Sequence, residues 1–221
     1  LAALHAQGWF DRISGLSAVL AAAAPIFALA LLAQQVFFSQ LHLLPLNGRL
    51  SSEVAVNAPI QAVTGFYLVD AALTHNWVAW SDALAHLVLP VIVVAVYPLA
   101  VILRMTRVTL VGALAEPYVV VARAKGLPER TILLRHLMPN ALLPILTVCG
   151  LTLAYAITGS VLVELLFRWP GIGFYVTDAI ANRDFPVILA VTLISALTFV
   201  GMTLALDMLR SLLEPRSRLR P

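Results

Sequence analysis

Four long apolar runs divide the chain: Ile13 to Phe38, about Ala85 to Leu103, Ala141 to Leu166, and Val187 to Leu209. Each approaches or exceeds the roughly 20 helical residues that cross about 30 Å of hydrocarbon. Pro25, Pro90, Pro98 and Pro144 punctuate these runs. A bilayer helix tolerates proline where neighbouring helices or water satisfy the freed carbonyls, so the pattern predicts bundled spans and not lone anchors. Gly65 to Trp80 reads as an amphipathic helix lying on a membrane surface. Between the second and third runs, apolar positions recur with a helical period inside a polar, basic segment. Val119, Ala122 and Gly126 fall at i, i+3 and i+7, and Ile132, Leu133, His136 and Leu137 form a second stripe.

Stop and start signals frame those two short helices. Pro117 suits a first helical turn because its missing N–H would be unpaired there, and Glu116 sets negative charge at the positive end of the helix dipole. Gly126 offers the left-handed conformation that closes a helix. Pro128 and Glu129 repeat the proline-then-acid start, and the second stripe is expected to run to Pro139. The expectation is a helix–turn–helix knob between two spans.

Composition sets the class. With 61% hydrophobic and 11% charged residues over 221 positions, and a mean hydropathy of +0.95, the chain is too apolar for a soluble domain. The expected fold class is all-α, a polytopic transmembrane helical bundle, with residues 1–221 forming one membrane domain. Cys149 lies inside an apolar run and reads as a packing residue, while the five histidines show no metal-ligand spacing.

The net charge of +3 is distributed by topology, without the aromatic and basic interleaving of single-strand binders, so no nucleic-acid partner is expected. Arg12, Arg104, Arg107, Arg123, Lys125, Arg130, Arg135, Arg210, Arg216, Arg218 and Arg220 gather on one side of the spans; Arg49, Arg168 and Arg183 fall on the other. Because cytoplasmic loops retain Lys and Arg, this puts both ends of the chain in the cytoplasm. It assigns a cytoplasmic connector at 1–12, a cytoplasmic loop at 104–139, a cytoplasmic tail at 210–221, and external loops at 39–84 and 167–186. Trp77, Trp80, Trp169 and Phe185 would then sit at headgroup level. Leu1 is not Met, and the first residues have neither the charged region nor the cleavage site of a signal peptide.

The basic loop carries more than topology. The ARAKG core, Ala122 to Gly126, with Pro139 thirteen positions after Gly126, resembles the cytoplasmic loop of ABC transporter permeases. Val120 stands where that motif often has Glu, as is common in peptide-type permeases. Further along, HLVLP at His86 to Pro90, the pair Arg104 and Arg107, LLRHLMPNALLP ending at Pro144, ELLFRWPGIG from Glu164 to Gly173, NRDFPV from Asn182 and EPR at Glu214 to Arg216 resemble, in order, the peptide and nickel permeases of the first-subunit type. The chain is similar to the C-terminal two-thirds of a six-span subunit with the type I ABC importer permease fold.

The resemblance implies a coupling loop in which Glu116, Ala122, Arg123, Ala124, Lys125, Gly126, Leu127, Arg130 and Pro139 meet an ATPase. It also implies a second, related permease subunit, two ATPase subunits that use ATP and Mg, an extracytoplasmic substrate-binding protein, surrounding lipid, and a bacterial cytoplasmic (inner) membrane. Peptide is the expected cargo and nickel the alternative. The chain itself is expected to hold no cofactor or metal and no catalytic residue: its one lysine, Lys125, belongs to no GxxxxGK[ST] phosphate cradle.

The turn at Trp169, Pro170, Gly171 and Gly173 reads either as a tight external re-entrant turn, with glycines permitting conformations that other residues resist, or as a point of substrate contact. Glu164 either pairs with Arg168 one turn on or lines an outer gate. Asp207 and Arg210 are spaced for an i,i+3 ion pair. Two rivals come from other classes. An intramembrane serine enzyme would use Ser160, for which no histidine stands as an obvious base, and a membrane scaffold would bind a non-ATPase protein at the same basic loop.

Overall fold

The computed structural model describes residues 9–158 and 161–213. Residues 1–8 of the connector, Ser160, and residues 214–221 of the tail with their arginines lie outside the described residues. Among the described residues the chain is helical and has no strand. The elements in order are α1 Trp9–Ala23, α2 Ile26–Ala33, α3 Ser52–Asn57, α4 Tyr67–Leu73, α5 Trp77–Leu114, α6 Pro117–Ala124, α7 Glu129–Thr131, α8 Met138–Thr158, α9 Val161–Leu166, α10 Ile172–Ala181 and α11 Phe185–Leu213. Two wide π-helical turns extend this set, Gln34–Gln40 directly after α2 and Ile132–Leu137 between α7 and α8.

The expected spans are realised unequally. Trp77–Leu114 and Phe185–Leu212 are each long and apolar enough to cross a membrane. The first run is broken at Pro25, whose extended backbone (φ −61°, ψ 135°) ends one helix and caps the next, so it counts as a span only if its bent halves are taken together. The third run is helical over Met138–Thr158, with Pro144 inside, and resumes as α9; its continuous apolar stretch is the shorter Pro144–Leu153.

Helix α5 reaches well beyond its apolar window. Its 38 residues extend about 57 Å at 1.5 Å per residue. Arg104 and Arg107, expected in a loop, therefore stand on this helix. The expected helix from Gly65 to Trp80 is two helices instead. His75 adopts φ 54°, and Asn76 restarts the helix by accepting the Ala79 N–H at 3.1 Å, the work of a strong N-cap residue. The Asn76 amide also donates to the Ala58 carbonyl at 3.0 Å.

The contacts divide the chain into two compact units, each with its own core. One comprises 24–95 and 158–193, where Ala30, Leu89, Val93, Val163 and Phe167 are buried together. The other takes in 9–23, 96–157 and 194–213 among the described residues, where Val119, Ala122, Ile132 and Leu137 are buried, backed by Leu110, Leu114 and Leu127. In this second unit Arg210 donates to Thr147 and pairs with Asp207 at 3.2 Å.

Candidate functional site: a capped knob and a glycine-lined turn

The knob is built where α5 unwinds. Glu116 takes an extended conformation, Pro117 occupies the first helical position, and the Val119 N–H reaches the Glu116 carbonyl at 3.0 Å. Along α6 the period-3.6 pattern resolves into two faces. Val119 and Ala122 are buried, whereas Val120 and Val121 are 61% and 53% exposed.

At the far end the Gly126 N–H bonds to the Arg123 carbonyl at 2.9 Å and the Leu127 N–H to the Ala122 carbonyl at 3.3 Å. This paired pattern closes the helix around a left-handed residue, and Gly126 has φ +74°. Leu127 folds back onto the buried cluster. A Cβ on Gly126 would meet nothing within 4 Å, so inside this chain the glycine is required for its backbone angle alone.

Across that turn Arg123 Nε donates to Glu129 Oε1 at 2.8 Å, and Nη2 to Oε2 at 3.3 Å. The fork bridges the two limbs of the knob, which sequence patterning did not reveal because Glu129 reads equally well as a helix-start acid. The hydrogen bond from Arg123 holds the Glu129 carboxyl below its ordinary range, and the same pair raises Arg123. With the folded value depressed, the pair's contribution is present at neutral pH and is lost only as pH falls through the folded value, below the ordinary 4.5. Arg123 is thus a strut between the two limbs of the knob. Ala124, Lys125, Gly126 and Arg130 are exposed.

Exchanging the two charges separates this role from that of an expected docking cation. Arg123→Glu alone sets two carboxylates across the turn and, on the expectation that an ATPase seats on this loop, should weaken its attachment. If the strut dominates, Arg123→Glu combined with Glu129→Arg restores attachment, measured by co-purification at low and high salt. If the charge at 123 faces the partner, the double variant stays weak.

Pro139 does not end the second limb. The run from Glu129 through the wide turn Ile132–Leu137 into α8 is continuous, and Pro139 sits in the first turn of α8. The widened turn just before it relieves the clash that a proline ring makes with the preceding turn of a regular helix.

The second region lies at the end of α9. The Trp169 N–H bonds to the Glu164 carbonyl at 2.8 Å and the Arg168 N–H to the Leu165 carbonyl at 3.2 Å. This repeats the closure seen at Gly126, with Arg168 in the left-handed position at φ 47°. Pro170 follows, and Gly171 begins α10 with an extended backbone. The Glu164 carboxylate then accepts the Phe174 N–H at 2.9 Å. One helix thereby supplies the N-terminal cap of another.

Neither Gly171 nor Gly173 has positive φ, so the expectation that they serve unusual backbone angles is corrected. They make room. A Cβ on Gly171 would lie 2.5 Å from Glu164 Oε2, and one on Gly173 would lie 2.7 Å from Val161 Cα.

Residues that hydropathy passed over complete this region. Gln34, within the first apolar run, donates to the Leu166 carbonyl at 3.1 Å, and the Gly48 N–H donates to the Phe167 carbonyl at 2.8 Å. Two free carbonyls at the α9 terminus are satisfied this way. Asp82 accepts the Ser51 N–H at 2.7 Å, and the buried Asp70 accepts Thr64 Oγ1 at 2.6 Å, Thr64 N–H at 2.7 Å and Gly65 N–H at 2.9 Å. The Thr64 hydroxyl leads these donors in holding Asp70 below its ordinary range. A polar residue inside an apolar run, such as Gln34, was the available signal. Among the described residues no group of His, Cys, Asp and Glu side chains is placed to hold a metal ion.

Comparison with known proteins agrees with this architecture. Residues 1–219 match the family described as binding-protein-dependent transport system inner membrane component. The chain is 37% identical over 210 residues, 95% of its length, to a dipeptide transport system permease protein of Alkalihalophilus pseudofirmus, covering 62% of that protein. It is 38% identical over 218 residues to the corresponding permease of Haemophilus influenzae and, also over 218 residues, 38% identical to a di/tripeptide transport system permease protein of Pseudomonas aeruginosa. Each of these alignments covers 99% of the chain and 64% of the relative. The chain therefore spans under two thirds of the length of these relatives. A match over nearly the whole sequence, together with its all-helical, membrane-spanning build, makes this chain a member of the binding-protein-dependent transport system inner membrane component family.

Proposed function

We propose that the chain is the larger part of a permease subunit in an ATP-driven peptide importer. The carrying observation is its identity of 37 to 38% with permeases named for dipeptide and di/tripeptide transport. In this reading the subunit pairs with a second, related permease and spans a bacterial cytoplasmic membrane with both ends of this chain inside. Two ATPase subunits, which bind the ATP and Mg, seat on the knob between Glu116 and Arg130. An extracytoplasmic binding protein delivers the cargo. The chain contributes no catalytic group; it carries motion.

The knob supports such a role physically. It is short, closed at Gly126, bridged by Arg123 and Glu129, and joined without a break to α8. A force applied to it is delivered to a long helix instead of being absorbed by a slack loop. The exposed valines of α6 offer apolar contact area beside the basic groups.

The test of cargo is growth. A strain lacking the protein that carries this chain should resist toxic peptide analogues and fail to grow when a required amino acid is supplied as a dipeptide, while nickel-dependent enzyme activity is unchanged. A nickel defect with normal peptide uptake assigns nickel instead.

A further inference from the structure

Arg49 is a cation of the unit that contains α9 whose contacts are aromatic. Its guanidinium carbon lies 4.6 Å from the Tyr67 ring centroid and 5.6 Å from that of Trp169. Its Nε is fully shielded and has no hydrogen-bond partner among the described residues. Three carboxylates of the same unit are engaged elsewhere: Asp70 by Thr64 and Gly65, Asp82 by Ser51, Glu164 by Phe174. Arg49 as a whole is half-buried, but a shielded N–H without an acceptor is costly, and contact with aromatic faces offsets only part of that cost. Stacked guanidinium keeps its donors in its own plane, which suits a planar acceptor taken two oxygens at a time.

The position is built, not incidental. Gly48 ties the loop to the Phe167 carbonyl and the Ser51 N–H binds Asp82, so both neighbours of the 49–50 segment are fixed. Tyr67 opens α4, and Trp169 is fixed by its own N–H on the Glu164 carbonyl.

We propose that Arg49, between Tyr67 and Trp169, is a receptor for the chain-end carboxylate of a peptide cargo. The proposal rests on the peptide-import reading and adds the chemical group and the residue that takes it. A partly shielded single cation between two rings suits a free carboxylate at the end of a small molecule. An acidic side chain on a docking protein would have to bring its backbone into the same slot.

The test uses wild-type transporter, assembled with its partner subunits in lipid nanodiscs and without binding protein. Modification of Arg49 by phenylglyoxal is followed by mass spectrometry of the peptide that contains it. Alanyl-alanine at about ten times its dissociation constant should slow modification of Arg49 about tenfold, because only the unoccupied fraction reacts. Alanyl-alanine amide, which lacks the carboxylate, should leave the rate unchanged.

Equal protection by dipeptide and amide overturns the proposal, as does protection by neither. Protection by cargo-free binding protein but not by alanyl-alanine overturns it in favour of a protein carboxylate. If peptide-dependent growth is intact and Arg49 is unprotected, this site fails while the import reading stands. Loss of the import reading in the growth test removes both.

Discussion

Gly173→Ala should disrupt the unit around α9 more than any exposed substitution in that unit. The added methyl would stand 2.7 Å from the Val161 Cα, and a backbone atom cannot step aside as a side-chain tip can. Overpacking of this kind costs about 1 to 3 kcal/mol. The expected result is a lower unfolding midpoint in mild detergent together with reduced transport in vesicles. Gly171→Ala is the informative contrast. The nearest atoms to its methyl are those of the Glu164 carboxylate, which can swing away at the loss of a helix cap, about 0.5 to 2 kcal/mol. In a Glu164→Ala background, Gly171→Ala should therefore cost much less than in the wild type, whereas Gly173→Ala should cost as much as before. An unchanged midpoint for Gly173→Ala would show that α9 and α10 do not approach as closely as this geometry requires.

On the proposed importer reading, Gly126→Val should uncouple transport without unfolding the chain. The left-handed backbone costs a residue with a Cβ about 1 to 2 kcal/mol, and a β-branched one at the upper end. Among the described residues no atom lies within 4 Å of the added Cβ, so the expected damage comes from the backbone angle and the tilt of the limb that follows. Binding-protein-stimulated ATP hydrolysis and peptide uptake should fall together in reconstituted vesicles, with assembly intact. Gly126→Asn, which tolerates the left-handed region, should retain more activity than Gly126→Ala, and Gly126→Ala more than Gly126→Val. Wild-type uptake in Gly126→Val would remove the knob from the coupling path.

The knob was legible because each of its turning points rests on a residue whose backbone is restricted or freed: Pro117 and Pro128 at helix starts, Gly126 at a helix end. Such signals are local and survive any tertiary context. The bridge from Arg123 to Glu129 was not legible, since two opposite charges six apart across a turn become neighbours only once the turn type is fixed. Hydropathy likewise located the apolar centre of α5 but missed its ends. A helix continues through Arg104 and Arg107 as readily as through leucine, because only the solvent, and not the backbone, distinguishes them.

The glycines at 171 and 173 illustrate the opposite failure. Their spacing suggested a turn, and a turn is present, but the need for absent side chains arises from Val161 and Glu164 on the preceding helix. No window of sequence around a glycine states which distant atom will approach it. Gln34 was similarly silent, a single amide in an apolar run whose two acceptors, the carbonyls of Leu46 and Leu166, are gathered only by folding.

The wide turn Ile132–Leu137 sets the phase of the helix it interrupts. A uniform α-helix advances about 100° and 1.5 Å per residue, and a π-helical turn holds one residue more than its α counterpart. The limb Glu129–Thr131 is consequently rotated by about 100° from where unbroken winding would place it relative to Gly150 and Thr152 on α8. Deleting one residue within this turn would return the helix to uniform winding and swing Glu129 and Arg130 through that same angle. The azimuth at which the knob faces its surroundings is therefore fixed by a single supernumerary residue.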